Sequence, residues 1–231
     1  MSPFLPTWED ATPETYARLG EIVDPEGKVL AGIERIVPLA GKRIADVGTG
    51  IGHYPILLAR HTGRTYGIEA DRALRDEAAR RARAAHQPNL RIIEGSPDRL
   101  PLRDAAVDVV LSAQIEPDDG SLPRVAEALR VLRPGGHLIG ISNYGRDEAS
   151  RLLEPELVER FVAASHQRTG WWARNGFRIK VIHTRIDLSD EATAHQLLPR
   201  LYGDRAFAFL MGPHRPSLEL KLALYHRQRA A

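Results

Sequence analysis

The sequence predicts an α/β protein: a doubly wound, mostly parallel sheet with helices on both faces. Three observations carry this. From residue 24 to residue 142, short apolar runs alternate with segments of helical periodicity. The runs are apolar on both faces, as strands buried between crossover helices are. And the first run ends in Asp46-Val47-Gly48-Thr49-Gly50-Ile51-Gly52, a glycine turn where open sheets of this kind gather ligands at their carboxyl edge.

Taken in order, Thr12-Pro13-Glu14 starts a small helix holding Tyr16. Asp24-Pro25-Glu26 starts a second, with an acid as N-cap and proline at the first helical position. Val29, Leu30, Ile33, Ile36 and Val37 follow at helical spacing, and Pro38 through Gly41 stops the helix. Arg43 to Val47 is the first strand, and Pro55 to Ala59 begins the helix beyond the glycine turn. Thr65 to Glu69 is the second strand, and Arg72 to Ala85 a helix with Leu74, Ala78, Ala82 and Ala85 inward. Leu90 to Glu94 and Val107 to Ser112 are the third and fourth strands. Pro123 opens a helix stopped by Arg133-Pro134-Gly135-Gly136, before a fifth strand over His137 to Ser142. In the last third, Glu156 to about Ala173 reads as one helix and Phe177 to about Asp187 as a long strand. Ser189 and Asp190 cap a helix to about Tyr202. Leu218 to Tyr225 alternates almost strictly, which suits an antiparallel strand with one dry and one wetter face.

The 231 residues fit one domain: 1–23 as an N-terminal lid, 24–187 as the core, 188–216 as an insertion over the substrate, 217–231 as the final strand. There is no cysteine, which excludes disulfides, thiolate metal sites and cysteine nucleophiles. The start lacks the pattern of a signal peptide and no apolar run reaches membrane-spanning length, so the expected location is cytoplasmic. The formal net charge of +2, from 32 basic and 30 acidic residues, implies neither nucleic acid nor an anionic membrane as partner. The nine histidines show no metal spacing, and Asp118-Asp119 alone makes no magnesium site, so no metal is expected.

A dinucleotide site wants G-x-G-x-x-G with pyrophosphate on the helix behind it. Here the third glycine comes one residue early, and His53 stands where that fingerprint needs glycine. Asp46 repels a phosphate but attracts an ammonium group. Glu69 ends the second strand about 20 residues on, the position from which an acid grips ribose hydroxyls. Asp46 and Gly52 also suit a tight strand-to-helix turn, and Glu69 also reads as a helix-capping acid.

At these residues the chain resembles the class I S-adenosylmethionine-dependent methyltransferases. Asp46 through Gly52 matches the family's acid-x-G-x-G-x-G motif without a gap, and Glu69 its ribose-binding acid. Gly95-Ser96-Pro97-Asp98 stands where the adenine loop belongs, Val107 to Ser112 matches the fourth strand, and Leu132 to Leu138 the turn into the fifth. The resemblance covers about residues 24–145. It implies a Rossmann-like, seven-stranded sheet with the last strand antiparallel, and S-adenosylmethionine as cofactor. It also implies that Gly48, Thr49 and Gly50 approach the methionine and sugar, with Asp46 at the amino group. Glu69 then lies at the ribose, Ala70 and Asp71 beside the adenine, and Tyr16 folds over the cofactor. The chain departs from many relatives at Ser96 and Pro97, since proline has no N–H to give the adenine; Ser96 or Asp98 must supply that contact.

Methyl transfer needs alignment more than a catalytic signature, so the acceptor chemistry is written faintly. Ser112-Ala113-Gln114-Ile115-Glu116 leaves the fourth strand at the ligand edge; Ser112, Ala113 and Gln114 are candidates for the cofactor. This is not the N/D-P-P-aromatic motif of nucleic-acid amino-methylating enzymes. Candidate bases are His53 and Glu116, the latter also an ordinary loop acid. Trp171-Trp172 fits a substrate pocket or the core. The segment 188–216, with His195, Tyr202, Arg205, Phe207, Phe209, His214 and Arg215, suits an acceptor with an apolar body and an acidic group, or a dimer interface. The expectation is a methyltransferase acting on a small molecule, as monomer or homodimer. The rival readings are a catalytically silent subunit of the same fold, an aminopropyl transferase, and a nicotinamide-dependent oxidoreductase.

Overall fold

The computed structural model describes residues 13–113, 115 and 117–230, with the side chains of residues 13, 16, 200 and 201 outside the description. Of the residues singled out by sequence, Gln114, Glu116 and the Tyr16 side chain therefore lie outside the described residues, as do residues 1–12 of the expected lid.

Two helices lead in, α1 (Pro13–Ile22) and α2 (Lys28–Glu34), followed by β1 (Arg43–Val47) and α3 (His53–Ala59). Next come β2 (Arg64–Glu69), α4 (Arg72–Ala84), β3 (Leu90–Glu94) and β4 (Val107–Ser112). Then α5 (Leu122–Val131), β5 (Leu132–Asn143), α6 (Pro155–Ala164), α7 (Trp171–Arg174) and β6 (Arg178–Asp187) follow. The chain ends in α8 (Glu191–Tyr202), α9 (Asp204–Leu210) and β7 (Ser217–Gln228). The seven strands form one sheet in the order β3-β2-β1-β4-β5-β7-β6. β1 to β5 pair in parallel, and β7 runs antiparallel to both β5 and β6. This is a doubly wound, Rossmann-like sheet with its last strand antiparallel.

Alternation along each strand divides the interior into two cores. Ile44, Val109, Leu111, Ile139, Ile141, Leu222 and Leu224 pack on one face with α2 and α3. Ala45, Val110, Leu138, Ala223 and Tyr225 pack on the other with α5 and α7. The middle of β7 is thus dry on both faces, from Leu222 through Tyr225. Within the alternating run, the wetter face that alternation predicts is confined to its start, where Glu219 is exposed and Leu218 and Leu220 are buried.

Two helices differ from the sequence reading. Asp24 does cap α2, but from outside a tight turn: it sits in the left-handed region (φ 57) and its carboxylate accepts from the amides of Lys28 (3.0 Å) and Val29 (2.8 Å). Pro25 and Glu26 belong to that turn, closed by Gly27 N–H donating to the Asp24 carbonyl at 2.9 Å, so the helix begins one turn later. The segment from 156 to 173 is two helices. Gly170 brings the chain back over the end of α6, where a Cβ would meet the carbonyl oxygens of Ala164 and His166 at 2.2 and 2.6 Å. Only glycine fits that approach. β5 begins earlier than read, at Leu132, because Leu132 pairs with Val107 before the ladder slips at Arg133–Gly136 and resumes at His137 opposite Val109.

Candidate active site

The strand order reverses between β1 and β4, and the loop leaving β1 carries the three glycines into the crevice that such a reversal opens. All three have positive φ: 73° at Gly48, 56° at Gly50 and 85° at Gly52. They are not equivalent. Gly52 packs on α4, where a Cβ would stand 3.3 Å from that of Ala78. A Cβ on Gly50 would meet no atom within 4 Å, so this backbone is bare toward open space. The turn is fastened to β2 by the amides of Gly48 (2.9 Å) and Thr49 (3.1 Å), both donating to the Ile68 carbonyl.

Asp46, 4% exposed, lies under this turn and accepts from the Thr49 hydroxyl at 2.6 Å. Gly67 makes room for that threonine; a Cβ there would come within 3.2 Å of it. Burial, and secondarily the carboxylate of Glu69, push Asp46 up to about 7, against the hydrogen bond from Thr49. Among these interactions no cation pairs with it, so an ammonium group would find a buried carboxyl ready to give up its proton. Glu69 is also buried and accepts from the amides of Gly50 (2.7 Å) and Asp71 (3.0 Å). Each of its oxygens keeps acceptor capacity for a further donor.

The neighbouring loops hold the other sequence-selected residues. Asp71 caps α4 by accepting from Leu74 N–H at 2.9 Å. The Ala70 carbonyl accepts from Arg75 at 2.9 Å. Asp98 is paired with Arg124 at 2.9 Å, and Ser96 bridges to Arg99 in a tight turn. Pro97 and Ser112 face a small apolar recess with Val47, Leu100 and Val110.

A cavity of about 380 Å³ opens beside the glycine turn. Of the residues selected by sequence, Asp46, Gly48, Thr49, Gly50, His53 and Ala113 line it; Gly52, Glu69, Ala70, Asp71, Ser96, Pro97, Asp98 and Ser112 do not. Its far wall is apolar, formed by Leu19 of α1, Leu30 of α2, Leu57 of α3, Ile141 of β5, Ile186 of β6 and Leu220 of β7. His53, at the start of α3, packs against α1, where a Cβ on Gly20 would stand 2.7 Å from its Nδ1. Burial, then Arg81, hold its pKa below the ordinary histidine range, against the pull of Asp24. The ring is therefore neutral near pH 7 and can accept a proton. Tyr54 stands edge-on to it at 5.3 Å and also lines the cavity, its hydroxyl held protonated by burial.

Sequence reasoning missed Asp24, Tyr54 and Asn143, all on the cavity wall. Asn143 ends β5 at the ligand edge, a signal of the kind that singled out Ser112. Of the segment 188–216, only Tyr202 among the side chains named above reaches the cavity. Arg205 and Arg215 are tied to Glu154 and Glu148, each at 2.9 Å, and His195 lies 3.7 Å from Glu191. Trp171 and Trp172 are core: Trp172 stacks on Tyr225 at 4.1 Å and 5°, and Trp171 donates to Asp119 at 3.1 Å. No group of three or more metal-ligating side chains occurs among the described residues, and no described helix is long and apolar enough to cross a membrane.

The sheet order, with its antiparallel last strand, is that of the Rossmann-like methyltransferase fold. Residues 44–136 match the family model described as a methyltransferase domain. The chain is 35% identical over 106 residues to a phthiotriol/phenolphthiotriol dimycocerosates methyltransferase of Mycobacterium leprae, covering 44% of this chain and 38% of that one. It is 29% identical over 171 residues to a malonyl-acyl-carrier-protein O-methyltransferase of Methylococcus capsulatus, covering 72% and 55%. The chain thus spans about two fifths to just over half the length of these relatives. In fold it is similar to the crystal structure of a SAM-dependent methyltransferase from Aquifex aeolicus, with a TM-score of 0.58 at 18% identity, covering 93% of this chain and 99% of that one.

Proposed function

We propose that the protein is an enzyme that moves a methyl group from S-adenosylmethionine to a small-molecule acceptor. The observation that carries this is the bare Gly50 backbone set between two buried acids, Asp46 and Glu69, beside an apolar cavity. The donor set fits the cofactor's chemistry: a carboxyl without a cation for an ammonium, a carboxylate with spare acceptor capacity for ribose hydroxyls, and no phosphate-binding fingerprint. Asp46, Gly48, Thr49 and Gly50 hold the amino acid and sugar portions. Glu69, Ala70 and Asp71, with Ser96, Pro97, Asp98, Ser112, Ala113 and Gln114, serve the nucleoside, and Tyr16 covers it. When bound, the cofactor supplies an electrophilic methyl group on a sulfonium that is already a good leaving group.

The chain's own residues then have two tasks. The cavity walls orient the acceptor and exclude water, and proximity of this kind supplies roughly 7–11 kcal/mol in favourable cases. His53, neutral and on the cavity wall, takes a proton from the acceptor's nucleophile; Glu116 is the second candidate for that role. The relatives bear names for a lipid and for an acyl-carrier-protein conjugate; the acceptor here is assigned as a free small molecule. The protein works in the cytoplasm as monomer or homodimer, without metal, nucleic acid or membrane. Its chain divides into the lid of residues 1–23, the core of 24–187, the cover of 188–216 and the final strand.

The test is calorimetric titration with S-adenosylmethionine, S-adenosylhomocysteine and NAD. Micromolar binding of the first two, about −8 kcal/mol, with at least tenfold loss in Glu69→Gln and no measurable NAD binding, is the expected result. Preferential binding of NAD would replace this reading with the oxidoreductase one, and no binding at all would favour a silent subunit.

A further inference from the structure

The charge pattern of the cavity points to the kind of acceptor it takes. Three acids line it, Glu21, Asp24 and Asp46, and among the described residues no lysine or arginine does. The Asp24 carboxylate is held in place by the Lys28 and Val29 amides and by the Thr184 hydroxyl at 2.7 Å. In the segment 188–216, Arg205 and Arg215 are committed to Glu154 and Glu148. The uncharged polar side chains on the wall are Thr49, His53, Tyr54, Asn143 and Tyr202, and, apart from these and the three acids, its side chains are aliphatic.

An anion entering an apolar enclosure gives up its hydration, and only a cation or a set of N–H donors returns that loss. Here it would meet like charge instead. We propose that the acceptor is a non-anionic small molecule with an apolar body, and that phosphorylated or carboxylate acceptors are rejected by Glu21 and Asp24, the cavity acids that the cofactor's ammonium does not engage. This rests on the methyltransferase reading and revises the acidic group expected from Arg205 and Arg215.

The test uses two probes of one shape that differ in charge at pH 7, the neutral 2-naphthol and the anionic 2-naphthoate. Each is titrated into protein saturated with S-adenosylhomocysteine and, separately, into protein alone. The expected result is 2-naphthol binding at least tenfold tighter than 2-naphthoate. Leu57→Trp, which fills the cavity, is expected to abolish 2-naphthol binding while changing S-adenosylhomocysteine affinity less than threefold. Glu21→Arg, an exposed helix position at the cavity wall, is expected to narrow the preference at least threefold. Naphthoate binding as tightly as naphthol, binding of neither probe, or naphthol binding untouched by Leu57→Trp would each overturn the proposal. Failure of S-adenosylhomocysteine itself to bind would count against the methyltransferase reading, and the titrations of protein alone would still decide the charge preference of the cavity.

Discussion

Asp46 shows how one side chain joins stability to ligand binding. Its folded-state pKa is raised, so the folded protein holds a proton that the unfolded chain releases from about pH 4 upward. The resulting penalty on stability grows from about pH 4 to pH 7 and is complete above 7, on the order of a few kcal/mol. Asp46→Asn is therefore expected to raise the thermal midpoint of the ligand-free protein at pH 8 and to change it much less at pH 4.5, as differential scanning calorimetry at the two values would show. Equal effects at both pH values would mean that Asp46 is ionised throughout. Much of this was legible in the sequence. The acid and the glycines form a local motif, and Glu69 follows at a fixed distance because one strand and one helix separate them. The division of labour among the glycines was not. That Gly52 serves α4 and Gly50 faces open space depends on Ala78, which no local pattern ties to the turn.

At the scale of elements, the paired tryptophans decide a question left open by spacing. Trp172 lies over Gly140 of β5, where a Cβ would come within 3.2 Å of its ring, and stacks on Tyr225 of β7. Trp172→Ala is expected to cost about 3–5 kcal/mol in chemical denaturation and to leave cofactor affinity within a factor of three. α2 offers the opposite case. Gly32 lets it lie close to β6 and β7, since a Cβ there would stand 2.5 Å from Ile182. Gly32→Val is expected to destabilise by about 1–3 kcal/mol through overpacking. Strands β1 to β4 were legible as apolar runs bounded by turns. The single helix expected over 156–173 failed because good helical periodicity says nothing about where the chain must fold back, and Gly170 marks that place only once Ala164 and His166 are beside it.

At the scale of the whole molecule, the sheet order brings the cavity together. β7 inserts between β5 and β6, so Ile141, Ile186 and Leu220, far apart in sequence, form one wall opposite the glycine turn. These three carried no warning in the sequence, because their role comes from long-range pairing rather than from local pattern. The cofactor side is the reverse case, concentrated in one motif and one strand end. Saturation linkage makes the molecule report on the site as a whole. At a ligand concentration of 100 times Kd the folded state gains about 2.7 kcal/mol, and for a chain of this length each kcal/mol moves the midpoint by roughly 2–4 °C. S-adenosylhomocysteine is expected to give that shift, and Gly50→Val to abolish it. The most direct measurement is a crystal structure with S-adenosylhomocysteine bound. The expected density places the amino group at Asp46, the ribose hydroxyls at Glu69 and the thioether open to the apolar cavity beside His53. A nucleoside lying in the apolar cavity, or no ligand at the glycine turn at saturating concentration, would contradict it.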